Sequence, residues 1–161
     1  MDTDFDAVIA GADYPVWVLT TAAGEQRSGC LVGFATQVGI RPRRFLAGVS
    51  KTNHTYRIVR AADHAALHLL ASTGMAVARL FASETGDEVD KFTRCETHAG
   101  PAGLPILAAA AGWFAGRIVR QHDLGDHIGL LLDPVAAQPP DRSVTVLRYL
   151  DVAGLHPGHE A

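Results

Sequence analysis

The chain has 161 residues, 48% of them apolar and 19% charged, and its length fits a single domain over residues 1–161 with its own core. A formal net charge of −3 argues against a broad nucleic-acid-binding face, and the sequence has no run of about 18 apolar residues, as a membrane span requires. The low charged fraction leads us to expect apolar surface in a subunit interface.

The first part of the chain predicts a short helical segment followed by strands. The predicted elements are one or two helical turns in residues 5–12 and strands in residues 14–21, 26–37 and 44–50. Residues 22–25 supply the turn between the first two strands, and Arg41-Pro42 separates the second from the third. Gly29 and Gly33 interrupt the second strand, which predicts bends or the close approach of another group.

The middle of the chain predicts helices around a further strand. Thr52 and Asn53 are good N-cap residues, and residues 56–62 suit the helix behind them. Residues 64–71 predict a strand, although a continuing helix is the alternative because β-branched residues are scarce there. A second helix follows, and its cap and apolar face are Ser72 or Thr73, then Met75, Ala78, Phe81 and Ala82.

The remainder of the chain returns to strands. The expected elements are a helical turn in residues 87–92, a loop in residues 100–105, strands in residues 110–121, 127–135 and 144–150, and a loose tail after Gly154. Leu124-Gly125-Asp126 joins the two long strands. Strands outnumber helices without regular βαβ alternation. This disfavours a doubly wound parallel sheet and favours a small antiparallel barrel with helices over its ends or one side.

Residues 50–55, Ser-Lys-Thr-Asn-His-Thr, lie where a predicted strand ends and a helix begins. Backbone N–H groups and the helix dipole favour a phosphate at such a point, and the segment adds hydroxyls, an amide, a lysine and a histidine. An ordinary capped helix with a solvated lysine explains the same residues. The chain has neither a GxxxxGK[ST] loop nor a GxGxxG motif after a strand, so a nucleotide would bind by neither route.

The histidines offer two further candidate sites. His64 and His68 are four residues apart without a glutamate between them, which favours structural or surface roles over a metal site. His127 follows Gly125-Asp126 at the start of an apolar strand, where it contacts a reacting ring or a pyridine cofactor, or is a turn histidine held by Asp126. Neither paired carboxylates nor a GxSxG elbow with a nucleophile triad occurs.

The amino-terminal segment and the cysteines bear on the expected location. Residues 1–4 are acidic and lack the order of a secretory signal peptide. Cys30 and Cys95 form neither a CxxC pair nor a zinc-ligand array, so we expect reduced thiols. Both observations predict a cytoplasmic protein.

Several short segments occur in an order and spacing that together are typical of one family. They are YPVWVLTT at residues 14–21 with Gly24, SGC at 28–30, FATQV at 34–38 with Pro42, SKTNHT at 50–55, FA at 81–82, DKF at 90–92, GLPIL at 103–107 and GDH at 125–127. Over about residues 13–150 the chain resembles the flavin-reductase-like, FMN-binding split-barrel proteins. This family includes the small reductase components of two-component flavin monooxygenases.

The resemblance implies a mainly β fold with few helices, a Greek-key split β-barrel of the FMN-binding type that forms homodimers with flavin at the dimer interface. It implies ring contacts, mostly through the backbone, from Leu31, Val32, Gly33 and Phe34, and turn contacts from Thr36, Gln37 and Val38. It implies phosphate contacts from Ser50, Lys51, Asn53, His54 and Thr55. His127 maps to the Gly-Asp-His motif near the nicotinamide and is the predicted catalytic residue.

The implied activity is hydride transfer from NADH or NADPH to bound FMN, with no metal. The reduced flavin then leaves for a partner monooxygenase or stays as a prosthetic group. Arg41, Arg43 and Arg44 depart from the family pattern around Pro42, and Gly39 stands where serine is frequent. These arginines add phosphate contacts, favour FAD or a deazaflavin, or are solvated. The alternatives are therefore a flavin- or deazaflavin-binding protein without reductase turnover and a cofactor-free dimeric scaffold.

Overall fold

The computed structural model describes residues 3–83 and 90–155. The helices are α1 (Thr3–Gly11), α2 (His54–Val59), α3 (Met75–Ser83) and α4 (Tyr149–Val152). The strands are β1 (Trp17–Ala23), β2 (Gln26–Val32), β3 (Ala35–Ile40), β4 (Arg43–Ser50), β5 (His64–Leu70), β6 (Thr97–Ala99), β7 (Pro105–Leu107), β8 (Ala110–Asp123) and β9 (His127–Gln138). Single 3₁₀ turns form at Lys91–Thr93 and Pro101–Gly103.

Seven strands form one antiparallel sheet in the order β2-β1-β5-β8-β9-β4-β3, and β6 pairs with β7. The two edge strands, β2 and β3, are consecutive in the chain and are joined by residues 33–34 alone. Because so short a link cannot span an open seven-stranded sheet, the sheet curls until its edges are neighbours. The result is the predicted split β-barrel, and the line between β2 and β3, where the sheet is not paired, is called the seam below.

Inward-facing side chains from strands all around the sheet fill the barrel. They form one apolar cluster that includes Leu19, Val32, Val49, Leu67 and Leu130. A second cluster lies outside the sheet, where α3 and α4 cover β1, β2 and β5. Burial of both clusters removes apolar surface from water, which stabilises the curled sheet.

Two glycines in the second predicted strand explain how it bends. A Cβ at Gly29 would lie 2.8 Å from the Leu19 carbonyl oxygen and 2.8 Å from the Phe81 ring, so α3 packs directly on the backbone there. A Cβ at Gly33 would lie 3.0 Å from the Tyr14 ring. The predicted close approach of another group is confirmed at both positions.

The prediction of one strand over residues 26–37 is wrong. The Ala35 N–H donates to the Gly33 carbonyl across 3.1 Å, and this tight turn divides the segment into β2 and β3. The hydrogen-bonded partner strand changes at this turn, since β2 pairs with β1 and β3 pairs with β4. Residues 38–40, which were not predicted as strand, continue β3.

The prediction of a final strand over residues 144–150 is also wrong. The segment makes only isolated bridges, Pro15 with Arg148 and Ala71 with Val146, and Tyr149 begins α4. Asp151 accepts a hydrogen bond from the Arg148 N–H at 2.9 Å, which stabilises the start of the helix.

The remaining elements agree with or extend the expectations. Residues 64–70 form strand β5 rather than a helix, and the short strands β6 and β7 were not predicted. Of the helical turn expected in residues 87–92, residues 87–89 lie outside the described residues. Within the described residues, no helix has both the length and the apolar character that crossing a bilayer requires.

Candidate functional site

A groove of about 430 Å³ opens at the seam. Its lining residues come from the start of β3, the middle of β4 and the β8–β9 turn: Phe34, Ala35, Thr36, Leu46, Gly48, Leu124, Asp126 and His127. The pairing of Ser50 with His127 brings the β8–β9 turn to the end of β4. Gly125, at φ +98°, permits this turn because only glycine adopts such a conformation readily. Residues far apart in sequence therefore share one surface.

Gly48 forms the floor of this seam groove. Its N–H donates to the Phe34 carbonyl at 2.7 Å, and this bond holds residues 33–34, which join β2 and β3, against β4. A Cβ at this position would lie 3.3 Å from the Phe34 Cβ and 3.8 Å from the His127 Cδ2. The absence of a side chain at Gly48 therefore leaves room for Phe34 and His127 to approach each other and keeps the groove floor beneath them low.

His127 is held in the groove from two sides. Its Nδ1 lies 2.8 Å from Asp126 Oδ1, and its ring centroid lies 5.0 Å from that of Phe34 at an interplanar angle of 58°. Because a carboxylate oxygen only accepts, Nδ1 carries the proton of this bond. The hydrogen bond to His127 holds the pKa of Asp126 below its usual range. The interpretation of His127 as a turn histidine held by Asp126 is confirmed, and its contact with a reacting ring or a pyridine cofactor stays a prediction for a residue that lines the groove.

Leu31 and Val32 were expected to contact the flavin ring mostly through their backbone, and their side chains do not reach the groove. Val32 is buried in the barrel and Leu31 packs against the second apolar cluster. The Gly29 carbonyl points away from β1, since it accepts from Lys91 Nζ at 3.2 Å. In an antiparallel strand, the N–H and C=O of every second residue point to the same side, so those of Leu31 also point to the outer edge. Leu31 can therefore contact a ligand through its backbone, as the resemblance implies.

The predicted turn residues divide between surfaces. Thr36 lines both the seam groove and a neighbouring pocket at the barrel mouth, whereas Gln37 lines only that pocket and donates from Nε2 to the Gly39 carbonyl at 3.0 Å. The Val38 side chain is half exposed and is not part of the groove lining. Of these three residues, the structure brings only Thr36 together with His127.

The segment predicted to bind phosphate follows β4 directly. Lys51 Nζ lies 2.7 Å from Asp123 Oδ1, and its backbone N–H donates to the Asp126 carbonyl at 2.9 Å. The hydrogen bond from Lys51 lowers the pKa of Asp123. Ser50 Oγ lies 3.0 Å from Thr52 Oγ1 at the surface. Ser50 and Lys51 therefore lie beside the turn that carries His127.

Asn53 and Thr55 have structural partners. Asn53 Oδ1 accepts from the Thr55 N–H at 2.9 Å and caps α2, as predicted. The Thr55 hydroxyl is fully buried and lies 2.8 Å from Ser28 Oγ, so it faces the interior rather than the surface. Burial also raises the pKa of the neighbouring Cys30 thiol to about 11, which keeps it protonated.

A second cavity of about 300 Å³ lies between β2, α2 and the Lys91 turn. Its lining carries charges of both signs: Arg27, His54 and Lys91 together with Glu25 and Asp90. Lys91 is buried and donates from Nζ to the carbonyls of Gly29 and Phe81 at 3.2 and 3.1 Å. Sequence reasoning assigned no role to Arg27 or Lys91, although the DKF segment that contains Lys91 was one of the matching segments.

The sequence disfavoured a metal site at His64 and His68, and the hydrogen bonds of His68 leave neither of its ring nitrogens to ligate a metal. Its Nδ1 lies 2.9 Å from the Val18 carbonyl, and its Nε2 accepts from the Leu107 N–H at 3.2 Å. Both ring nitrogens therefore have protein partners, and the side chain is fully buried. Burial lowers the pKa of His68 to about 4.

Fold and geometry together define a class: an antiparallel split barrel with a glycine-floored groove at its seam and a polar cavity beside it. The family model for the flavin reductase like domain matches residues 10–151. The chain therefore belongs to the flavin reductase-like family, and the sequence-based assignment to this family is confirmed.

Individual relatives agree with this assignment. The chain is 30% identical over 114 residues to the stachydrine N-demethylase reductase subunit Stc3 of Rhizobium meliloti, covering 68% of this chain and 48% of Stc3. It is 28% identical over 147 residues to the FMN reductase (NADH) RutF of Ancylobacter novellus, covering 89% of this chain and 81% of RutF. Three of the curated relatives that it matches are much longer, and the chain spans 22% to 48% of their length.

Solved structures share the fold. The NADH:FAD oxidoreductase SgcE6 of Streptomyces globisporus superposes with a TM-score of 0.77 at 23% identity, over 89% of this chain and 86% of SgcE6. At this level of identity the likeness concerns the fold, and the predicted mainly β barrel is confirmed.

Proposed function

We propose that this protein is an NAD(P)H-dependent flavin reductase that binds FMN in the seam groove. The observation that carries the proposal is the groove itself, where a glycine floor, an aromatic wall and a carboxylate-bound histidine meet in a chain of the flavin reductase-like family. RutF is named an FMN reductase using NADH and SgcE6 an NADH:FAD oxidoreductase, which supports NADH as donor and FMN or FAD as acceptor.

The residues of the groove fit a flat ring. A bound flavin supplies the hydride-accepting ring, while the protein binds and orients both reactants. Gly48 leaves room for the ring, Phe34 covers one side, and the outward backbone groups of Leu31 offer hydrogen bonds at its edge. His127 donates its Nδ1 proton to Asp126 in a hydrogen bond, so Nε2 and the ring face remain to position the nicotinamide.

The cofactor phosphate is assigned to the segment after β4. Asn53 caps α2 and Thr55 bonds Ser28, so these two residues hold the segment in shape. Ser50, Lys51 and His54 then contact the phosphate, with Lys51 supplying a charge-assisted hydrogen bond.

A homodimer completes this proposal. Large apolar side chains beside the groove are exposed: Phe34 by 59%, Val38 by 50%, Ile40 by 74% and Leu124 by 53%. A second copy that covers β3 and the β8–β9 turn would remove this surface from water and enclose the flavin. The name of Stc3, a reductase subunit, supports a partner monooxygenase that takes up the reduced flavin. The cytoplasmic location stays a prediction.

An absorbance titration tests the function. Purified protein is scanned with FMN, with FAD and with a deazaflavin, and then anaerobically with NADH and with NADPH. Binding followed by bleaching of the oxidised-flavin band supports the reductase and gives its nucleotide preference. Binding without bleaching favours the flavin- or deazaflavin-binding alternative. A protein that binds none of the three cofactors contradicts the proposal and favours the cofactor-free scaffold.

A further inference from the structure

A neighbouring pocket of about 480 Å³ lies at the mouth of the barrel beside the β3–β4 hairpin, and it shares only Ala35 and Thr36 with the lining of the seam groove. Its floor consists of aromatic rings from three strands, and its rim carries arginines from the segment that departs from the family pattern. The residues that matter here are Trp17, Phe45, Phe114, Pro134, Arg43 and Arg44. The proposed function makes no use of this barrel-mouth pocket.

The arginines are too distant to serve the flavin phosphate. Arg43 begins β4 and Ser50 ends it, so seven residues of extended strand, roughly 23 Å at 3.3 Å per residue, separate the two ends. Lys51 lies beyond Ser50 and pairs with Asp123. A phosphate at Lys51 is therefore out of reach of Arg43 of the same protomer, which disfavours, within one protomer, the interpretation in which the arginines add contacts to that phosphate.

The floor of the pocket is an aromatic surface. Trp17 lies 5.3 Å from Phe45 and 6.0 Å from Phe114 between ring centroids, and Phe45 lies 4.9 Å from Phe114. All three pairs meet edge to face, an arrangement that fixes the rings. The three rings are only partly buried, and the part that the core does not cover is apolar surface that lines the pocket. Such a floor binds flat apolar groups.

Of the two arginines on the rim, Arg44 pairs with an acidic side chain and Arg43 does not pair with one among the described residues. Arg44 donates to Asp133 Oδ1 at 2.8 Å and to the Arg43 carbonyl at 2.8 Å, and Arg117 lies 3.5 Å from the other oxygen of Asp133. The guanidinium of Arg43 has no acidic partner within the part of the chain that the structure describes. A guanidinium at the edge of an apolar pocket forms charge-assisted hydrogen bonds with carboxylates or phosphates.

We propose that the barrel-mouth pocket binds a small aromatic anion, its ring on the Trp17–Phe45–Phe114 floor and its charge on Arg43. The volume suits a ligand of two fused rings with one acidic group, since small-molecule pockets span about 300–1,000 Å³. This chemistry belongs either to a free aromatic acid or to the adenylate part of a nucleotide.

Isothermal titration of the full chain tests the proposal with 2-naphthoate, its neutral isostere 2-naphthamide, and AMP. We expect 2-naphthoate to bind about tenfold more tightly than 2-naphthamide, because the charge-assisted bond to Arg43 is lost in the amide. R43Q should weaken the acid by about the same factor and leave the amide unchanged. R41Q is the matched control, since Arg41 lies in the same hairpin outside the pocket lining.

The probes also distinguish the two sources of the ligand. Binding of 2-naphthoate that depends on Arg43, without binding of AMP, indicates a free aromatic acid, whereas binding of AMP that depends on Arg43 indicates a nucleotide. Equal affinity for the acid and the amide, equal losses in R41Q and R43Q, or no binding of any probe would overturn the proposal. These outcomes are independent of flavin bleaching, so failure here leaves the reductase proposal standing.

Discussion

His68 makes the barrel sensitive to acid. The imidazole is fully buried in β5, donates from Nδ1 to the Val18 carbonyl and accepts at Nε2 from the Leu107 N–H. Burial lowers its pKa from 6.5 to about 4. Protonation of Nε2 would add a buried charge and replace the acceptor of the Leu107 hydrogen bond with a second donor.

The sign of the effect follows from the two pKa values of His68. Between pH 6.5 and pH 4 the unfolded chain holds this proton and the folded chain does not, so the free energy of unfolding falls as the pH falls. Above pH 6.5 neither state binds the proton, and this residue adds no pH dependence. With these values the loss between pH 7 and pH 4.5 is about 2 kcal/mol, at 1.36 kcal/mol for each pH unit.

Urea unfolding at pH 7, 5.5 and 4.5 measures this loss, at one protein concentration because dimerisation would shift the midpoint. We expect the wild type to lose about 2 kcal/mol more than His68→Gln over this range, whatever the stability of the variant at pH 7. The matched control is His64→Gln, on the same strand but half-buried, which should keep the wild-type slope. Equal pH dependence of the wild type and His68→Gln would refute the reasoning.

Four further predictions concern the site and its supports. Lys51→Ala should weaken FMN by about 1.5 kcal/mol, roughly tenfold, and riboflavin hardly at all in binding titrations, because riboflavin lacks the phosphate; equal losses would place the phosphate elsewhere. Gly48→Val should weaken both flavins by about 1–3 kcal/mol and also lower the unfolding midpoint, since its side chain meets Phe34 and His127 at the groove floor; unchanged flavin binding by the folded variant would exclude the groove as the ring site. His127→Asn should lower kcat/KM for NADH roughly tenfold while the Kd of FMN stays constant, and a change in the Kd alone would contradict its positioning role. Gly29→Ala should cost about 1–3 kcal/mol in chemical unfolding because its Cβ meets the Phe81 ring and a backbone oxygen, whereas Gly154→Ala, with open space around it, should cost far less.

Local patterns were sufficient for much of the fold. Asn53 was predicted to cap the helix after β4 and does so through its own side chain. The turn at Gly125 between two apolar strands was also predicted correctly, because a positive φ needs glycine and the flanking residues suit strands. The order of the matching segments was enough to identify the family, which the family model confirms.

The contacts between distant strands were decided only by the tertiary structure. Gly29 and Gly33 both predicted bends in residues 26–37, but the sequence did not show that the strand ends at Gly33, because both halves suit an extended chain and the division comes from a change of pairing partner. The burial of Thr55 against Ser28 likewise depends on how β2 and α2 meet. The local sequence determines which residues extend, turn or cap. The sheet register and the curl of the barrel determine which of them face the groove, because those depend on pairing and burial across the whole chain.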